Sequence, residues 1–230
     1  GYCFFQKGDY ERAAQVYYEL MNEAADYKLP ESVYRWVADY YLSVGQFKKS
    51  LSVLGTFAER YPKMKANGEV AYLTGENYVG LEDWKEAMSS FKSAIDGDVA
   101  SPFLERSYLG MGRSEEALGN YEKALKFLED ALSKHKDSMT GALARFEIGN
   151  VKVKMMEYEE AAKAYMMVAI LYDDEDLCSK ALFLAATNFQ KAGKPKEAID
   201  AFNELIKRYP QNPLSKKAET EIKKAQGEAR

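Results

Sequence analysis

Residues 7–20 read KGDYERAAQVYYEL: a Gly-Asp turn, an aromatic, Ala three residues on, Tyr at seven and Leu at ten. The phrase returns at 44–57 as VGQFKKSLSVLGTF and at 192–205 as AGKPKEAIDAFNEL. Aligned on the residue after the turn, six positions fall at intervals of 37 residues: Tyr10, Phe47, Trp84, Tyr121, Tyr158 and Pro195. Three residues later stands a small residue: Ala13, Ser50, Ala87, Ala124, Ala161 and Ala198. At seven comes a large one (Tyr17, Leu54, Phe91, Leu128, Tyr165, Phe202), and at ten Leu20, Phe57, Ala94, Ala131, Val168 and Leu205. Residues 0, 3, 7 and 10 share one face of an α-helix, so each phrase opens an amphipathic helix.

A second helix precedes each turn. Nine residues before the aromatic the column reads Gly1, Ala38, Gly75, Gly112, Gly149 and Ala186. Gly lowers helix propensity, so its recurrence there points to close approach of a partner helix. Three residues on stand Phe4, Tyr41, Tyr78, Glu115, Lys152 and Phe189, and the turns carry Gly8, Gly45, Gly119 and Gly193. Gly suits a helix C-terminus. The unit is a helical hairpin, repeated six times without insertion. GMGRSE at 110–115 belongs to a helix in this register, since it lacks the strand and the Lys-Ser/Thr ending of a phosphate loop.

These columns resemble the tetratricopeptide repeat (TPR) over essentially the whole chain. The resemblance implies an all-α fold, a right-handed α-solenoid of antiparallel helical hairpins. Six units would occupy 1–213, the first shortened at its N-terminus as though the chain were part of a longer protein. Residues 214–230 would form a capping helix, with Leu214, Ala218, Ile222 and Ala225 as its apolar stripe. The commonest unit of the family has about 34 residues, so the extra residues belong in the links. Two links read Arg60-Tyr61-Pro62 and Arg208-Tyr209-Pro210. They resemble links of bacterial envelope TPR proteins, the outer-membrane assembly lipoprotein and the Tol–Pal-associated type. That implies a periplasmic or cell-envelope setting, with the cytoplasm as the alternative.

Composition excludes several classes. With 47% hydrophobic and 30% charged residues and a net charge of -4, the chain has neither a single-sign field for nucleic acid nor an apolar run that inserts in a membrane. The one histidine, His135, has no Cys or His cluster around it, and the acidic run Asp173–Asp176 lacks calcium-loop spacing. Cys3 and Cys178 lie five units apart, too far to pair when each unit touches only its neighbours. The expectation is no catalytic residue, no metal and no cofactor.

Helix phase puts three columns of the first helices on the open, concave side. One reads Arg35, Tyr72, Leu109, Phe146, Phe183; a second Asp39, Glu76, Arg113, Asn150, Thr187; a third Leu42, Val79, Val153, Gln190, with Glu116 in its middle. The Asn and Lys cluster of chaperone-binding TPR proteins is missing, since Asn150 alone stands in the polar column. The apolar members either wall a groove or pack between neighbouring units, and phase alone does not choose. The expected function is a non-catalytic scaffold that holds a protein or peptide partner on this face. The alternative is a self-assembling protein whose apolar faces make a homo-oligomer.

Overall fold

The computed structural model describes residues 1–24, 27–63, 68–97, 102–134 and 138–228. They form thirteen helices and, among the described residues, no strand. The first helices of the six pairs are α1 (Tyr2–Gln6), α3 (Glu31–Ser43), α5 (Gly68–Gly80), α7 (Phe103–Ala117), α9 (Met139–Lys154) and α11 (Glu175–Lys191). The second helices are α2 (Tyr10–Glu23), α4 (Phe47–Arg60), α6 (Trp84–Asp96), α8 (Tyr121–Lys134), α10 (Tyr158–Leu171) and α12 (Pro195–Arg208); α13 (Pro213–Glu228) follows. Every second helix begins on the aligned column, from Tyr10 to Pro195. The chain divides into two compact units, Gly1–Leu118 and Gly119–Arg230.

The turn repeats down to its backbone angles. Gly8, Gly45, Glu82, Gly119, Met156 and Gly193, one per repeat, all have φ between 58° and 79°. Around five of them two N–H groups fold back on the preceding helix. Gly45 N donates to Leu42 O at 3.1 Å and Gln46 N to Tyr41 O at 2.8 Å; Met156 N donates to Val153 O at 3.0 Å and Glu157 N to Lys152 O at 2.9 Å. This pairing satisfies the last carbonyls of a helix and requires a left-handed residue, which Gly adopts freely and Glu82 and Met156 adopt under strain.

Small residues meet rings across the third and fifth hairpins. A Cβ on Gly75 would lie 2.6 Å from the Phe91 ring, and one on Gly149 2.5 Å from the Tyr165 ring. Both rings are fully buried and have nowhere to retreat. Where the column holds Ala38, Ser50 Oγ donates to its carbonyl at 2.9 Å. The two polar exceptions in the large column resolve separately: Glu115 is buried, and Lys152 pairs with Glu157 at 2.5 Å.

The two Arg-Tyr links have a physical role. Arg60 donates to Met21 O and Tyr27 O, each at 2.6 Å, and to Tyr34 Oη at 3.0 Å. Arg208 donates to Ala169 O at 2.6 Å and Tyr209 Oη at 3.0 Å. Met21 and Ala169 lie in the last turns of α2 and α10, so each arginine caps the second helix of the preceding repeat, where free carbonyls concentrate.

GMGRSE is helical, inside α7. In the acidic run, Asp174 caps α11, accepting from Leu177 N at 2.7 Å. Both cysteines are free, Cys3 exposed and Cys178 buried. His135 lies outside the described residues. Helix α13 seats Ala218 in a buried cluster with Phe202 and Leu205, with Leu214 and Ile222 packed against it and Lys216, Lys217, Lys223 and Lys224 exposed.

Candidate functional site

The predicted face divides between the units. Unit one brings Arg35, Asp39 and Leu42 of α3, Tyr72, Glu76 and Val79 of α5, and Leu109 and Arg113 of α7 onto successive first helices. Two of these stand elsewhere than on an open wall. Tyr72 and Leu109 are buried, the Tyr72 ring lying 6.1 Å from Phe91 and 5.4 Å from Phe103. Large side chains in this column fill the space between repeats, because α5 sits close against α6 and α7. Leu42 and Val79 are half-buried.

The polar members form a mixed-charge row. Arg35 pairs with Glu69 at 3.3 Å and with Glu31 at 3.7 Å. Desolvation raises the Asp39 carboxyl above its usual pKa and Glu69 adds to it, while Arg35 opposes. Glu76 is raised by burial, against the pull of Arg113, Arg106 and a hydrogen bond from Tyr72. Burial and the Glu76 charge raise the Tyr72 hydroxyl in turn, while Arg106 and Arg113 oppose. Glu69 and Arg106 did not figure in the sequence reading. Their signal was a further 37-residue column, Ser32, Glu69, Arg106, three residues before Arg35.

Unit two uses its share of the face internally. Phe146 lies 5.2 Å from the Tyr165 ring, Val153 packs on the same cluster, and Phe183 lies 5.6 Å from Phe202. Asn150 donates to Glu147 Oε2 at 2.7 Å and accepts from Tyr165 Oη at 2.6 Å. Thr187 donates to its own helix at Phe183 O, 2.9 Å away, and Gln190 is half-buried.

Unit one also holds an aromatic cluster that the periodicity did not single out. Trp36 packs edge-on to Phe5 at 5.0 Å and stacks on Tyr40 at 5.9 Å, and Tyr10 lies 6.2 Å away. Tyr10 is half exposed although it belongs to the column that opens each second helix. Among the described residues no three His, Cys, Asp or Glu side chains gather as a metal site, and no helix is long and apolar enough to cross a membrane.

Comparison with known proteins now decides the class of repeat. The sequence matches the tetratricopeptide repeat family at residues 106–138 and 180–212, two segments in the same 37-residue register. The chain carries tetratricopeptide repeats at these two segments. Over 184 residues it is 27% identical to a TPR repeat-containing protein, MJ1428, of Methanocaldococcus jannaschii, a match covering 79% of this chain and 30% of that relative. The fold is shared with solved TPR structures. PilW, described as a widely conserved type IV pilus biogenesis factor, aligns with a TM-score of 0.71 at 16% identity, over 93% of this chain and 92% of that one. YrrB, described as a TPR protein with an unusual peptide-binding site, aligns with a TM-score of 0.58 at 19% identity, over 90% of this chain and 99% of that one. TPR arrays serve as protein-interaction scaffolds, and stacked repeats generate the extended surfaces on which partners bind.

Proposed function

We propose that this TPR protein is a non-catalytic scaffold that holds an extended partner segment on the first-helix face of unit one, the concave side in stacked-repeat arrays. The observation that carries the reading is the charged row Asp39, Glu76 and Arg113, bordered by Arg35, Glu69 and Arg106. Glu76 is half-buried beside Arg106 and Arg113 while Asp39 and Arg106 face solvent, and such a partly buried charge row is poor core material and a good recognition element. In unit two the corresponding Asn150 is consumed by Tyr165 and Glu147, so its side chain serves the hairpin. Peptides selected from a displayed random library on the full chain test this. Glu76→Gln and Arg113→Gln should each weaken the selected peptides about tenfold or more. Selected peptides that bind both variants as well as the parent would refute it. Residues 1–213 act here as the repeat array and α13 as its cap. Deleting 214–230 uncovers Phe202 and Leu205 and should produce association in light scattering; a truncated chain of unchanged mass and melting temperature would make the segment a tail.

A further inference from the structure

Unit two carries a groove on its other side, between the second helices α10 and α12. It encloses about 430 Å³. Its apolar lining includes Met166, Ala169 and Ile170 of α10, Phe189 of α11 and Ala201 of α12. Ile170 is 64% exposed, and Met167 and Leu171 beside it are exposed too, so the apolar strip runs out of the groove along α10. Three carboxylates line the α12 edge, Glu197, Asp200 and Glu204. Spaced at i, i+3 and i+7, they form a single stripe about 10 Å long. Among the described residues none of the three is ion-paired. Arg208 also lines the groove, but its guanidinium is committed to Ala169 O and Tyr209 Oη.

We infer that this groove docks an amphipathic helix of a partner protein, one with an apolar face and Lys or Arg along one flank. The apolar strip on α10 matches the apolar face of such a helix, and the acidic stripe on α12 matches its basic flank. A helix laid along α12 repeats the period of the three carboxylates, so basic residues at the same spacing meet all of them. Desolvation of Ile170, Met166 and Met167 supplies affinity, and the carboxylates fix register and speed association. The same groove exists in unit one between α4 and α6, where Ser89 and Ser93 stand in place of Asp200 and Glu204. Glu86 keeps the place of Glu197, so that groove has one carboxylate where this one has three and serves as an internal control.

The probe is a synthetic helix of about 14 residues, Leu on one face and Lys on one flank, measured by fluorescence anisotropy on the full chain. A second peptide carries Glu in place of each Lys. The Lys peptide should bind about tenfold or more tighter than the Glu peptide, with a marked salt dependence. Asp200→Ser with Glu204→Ser, the unit-one residues, should remove that preference and flatten the salt dependence. Ile170→Ser should weaken the Lys peptide while melting stays unchanged, since the side chain is exposed. Glu76→Gln leaves this binding intact, which separates it from the first-helix face. Failure of the Lys peptide to bind, or binding indifferent to both groove variants, overturns the inference. So does a parent chain that is dimeric and becomes monomeric with Ile170→Ser, because the occupant is then a second copy.

Discussion

The groove between α4 and α6 and the groove between α10 and α12 occupy the same place in the repeat, three repeats apart, with volumes of about 440 and 430 Å³. Shape is common to both, and chemistry is not. Gly55, Ser89 and Ser93 line the first; Met166, Asp200 and Glu204 stand at the same positions in the second. The columns that make the hairpin, from Ala87 to Ala198 and from Phe91 to Phe202, are kept in both. The lesson is a division of labour along each second helix. Offsets 3, 7 and 10 from its first residue pack the hairpin, joined by buried residues between them such as Ala162 and Ala201, and the exposed positions, such as Ile170 and Asp200, are free to carry recognition.

The strongest test of that division strikes the shared columns. Phe91→Ala and Phe202→Ala should each cost about 3–5 kcal/mol in urea denaturation, because both rings are fully buried. Phe91 is held between Gly75 and Gly110, whose added Cβ atoms would lie 2.6 and 2.4 Å from it. A cost below about 1 kcal/mol at either ring would show that the two units are not built alike.

Next come the capping arginines, which should separate the units. Arg60→Ala strands the carbonyls of Met21 and Tyr27, whereas Arg208→Ala strands that of Ala169. Losses of about 1–3 kcal/mol are expected, larger at Arg60. Equal losses would mean that the second carbonyl at Arg60 adds nothing.

Smaller still is the turn. Glu82 in unit one and Met156 in unit two are exposed and hold the left-handed angle that Gly holds in the other four repeats. Glu82→Gly and Met156→Gly should each raise stability by about 1 kcal/mol. A fall in melting temperature for either would show that its side chain contributes more than the strain removes.

The finest distinction lies in pH. A carboxyl raised by burial, as Glu76 is, binds more protons folded than unfolded between its two pKa values. Its contribution is therefore most favourable below the ordinary carboxylate range, and stability falls as pH rises through the folded pKa. Glu76→Gln should match the parent in acid and exceed it at neutral pH. No widening of the gap with rising pH would mean that its arginine neighbours offset the burial.

The register was legible because one column marks the first residue of all six second helices, Pro195 included. Burial within the first-helix face was not. Helix phase gives Tyr72 and Asp39 the same direction, and only the approach of Phe91 and Phe103 decides that Tyr72 is packing while Asp39 stays exposed. The roles of Arg60 and Arg208 depend on carbonyls 39 residues earlier in the chain, beyond any local pattern. The acidic edge of α12 was written plainly at 197, 200 and 204. It reads as a solvated helix face until the apolar strip of α10 is seen beside it.

The turn that recurs every 37 residues also sets how such a chain can lengthen or shorten. Removing one residue of α10 between Tyr165 and Val168 would rotate everything after it by about 100° about the helix axis, taking Val168 off Tyr165's face and Ala169 away from Arg208. Removing or duplicating one whole unit leaves Gly75 facing Phe91, Gly149 facing Tyr165 and every turn residue at the end of its helix. The fold tolerates change in steps of a full repeat and resists smaller ones, so gain or loss of entire hairpins is the path open to its descendants.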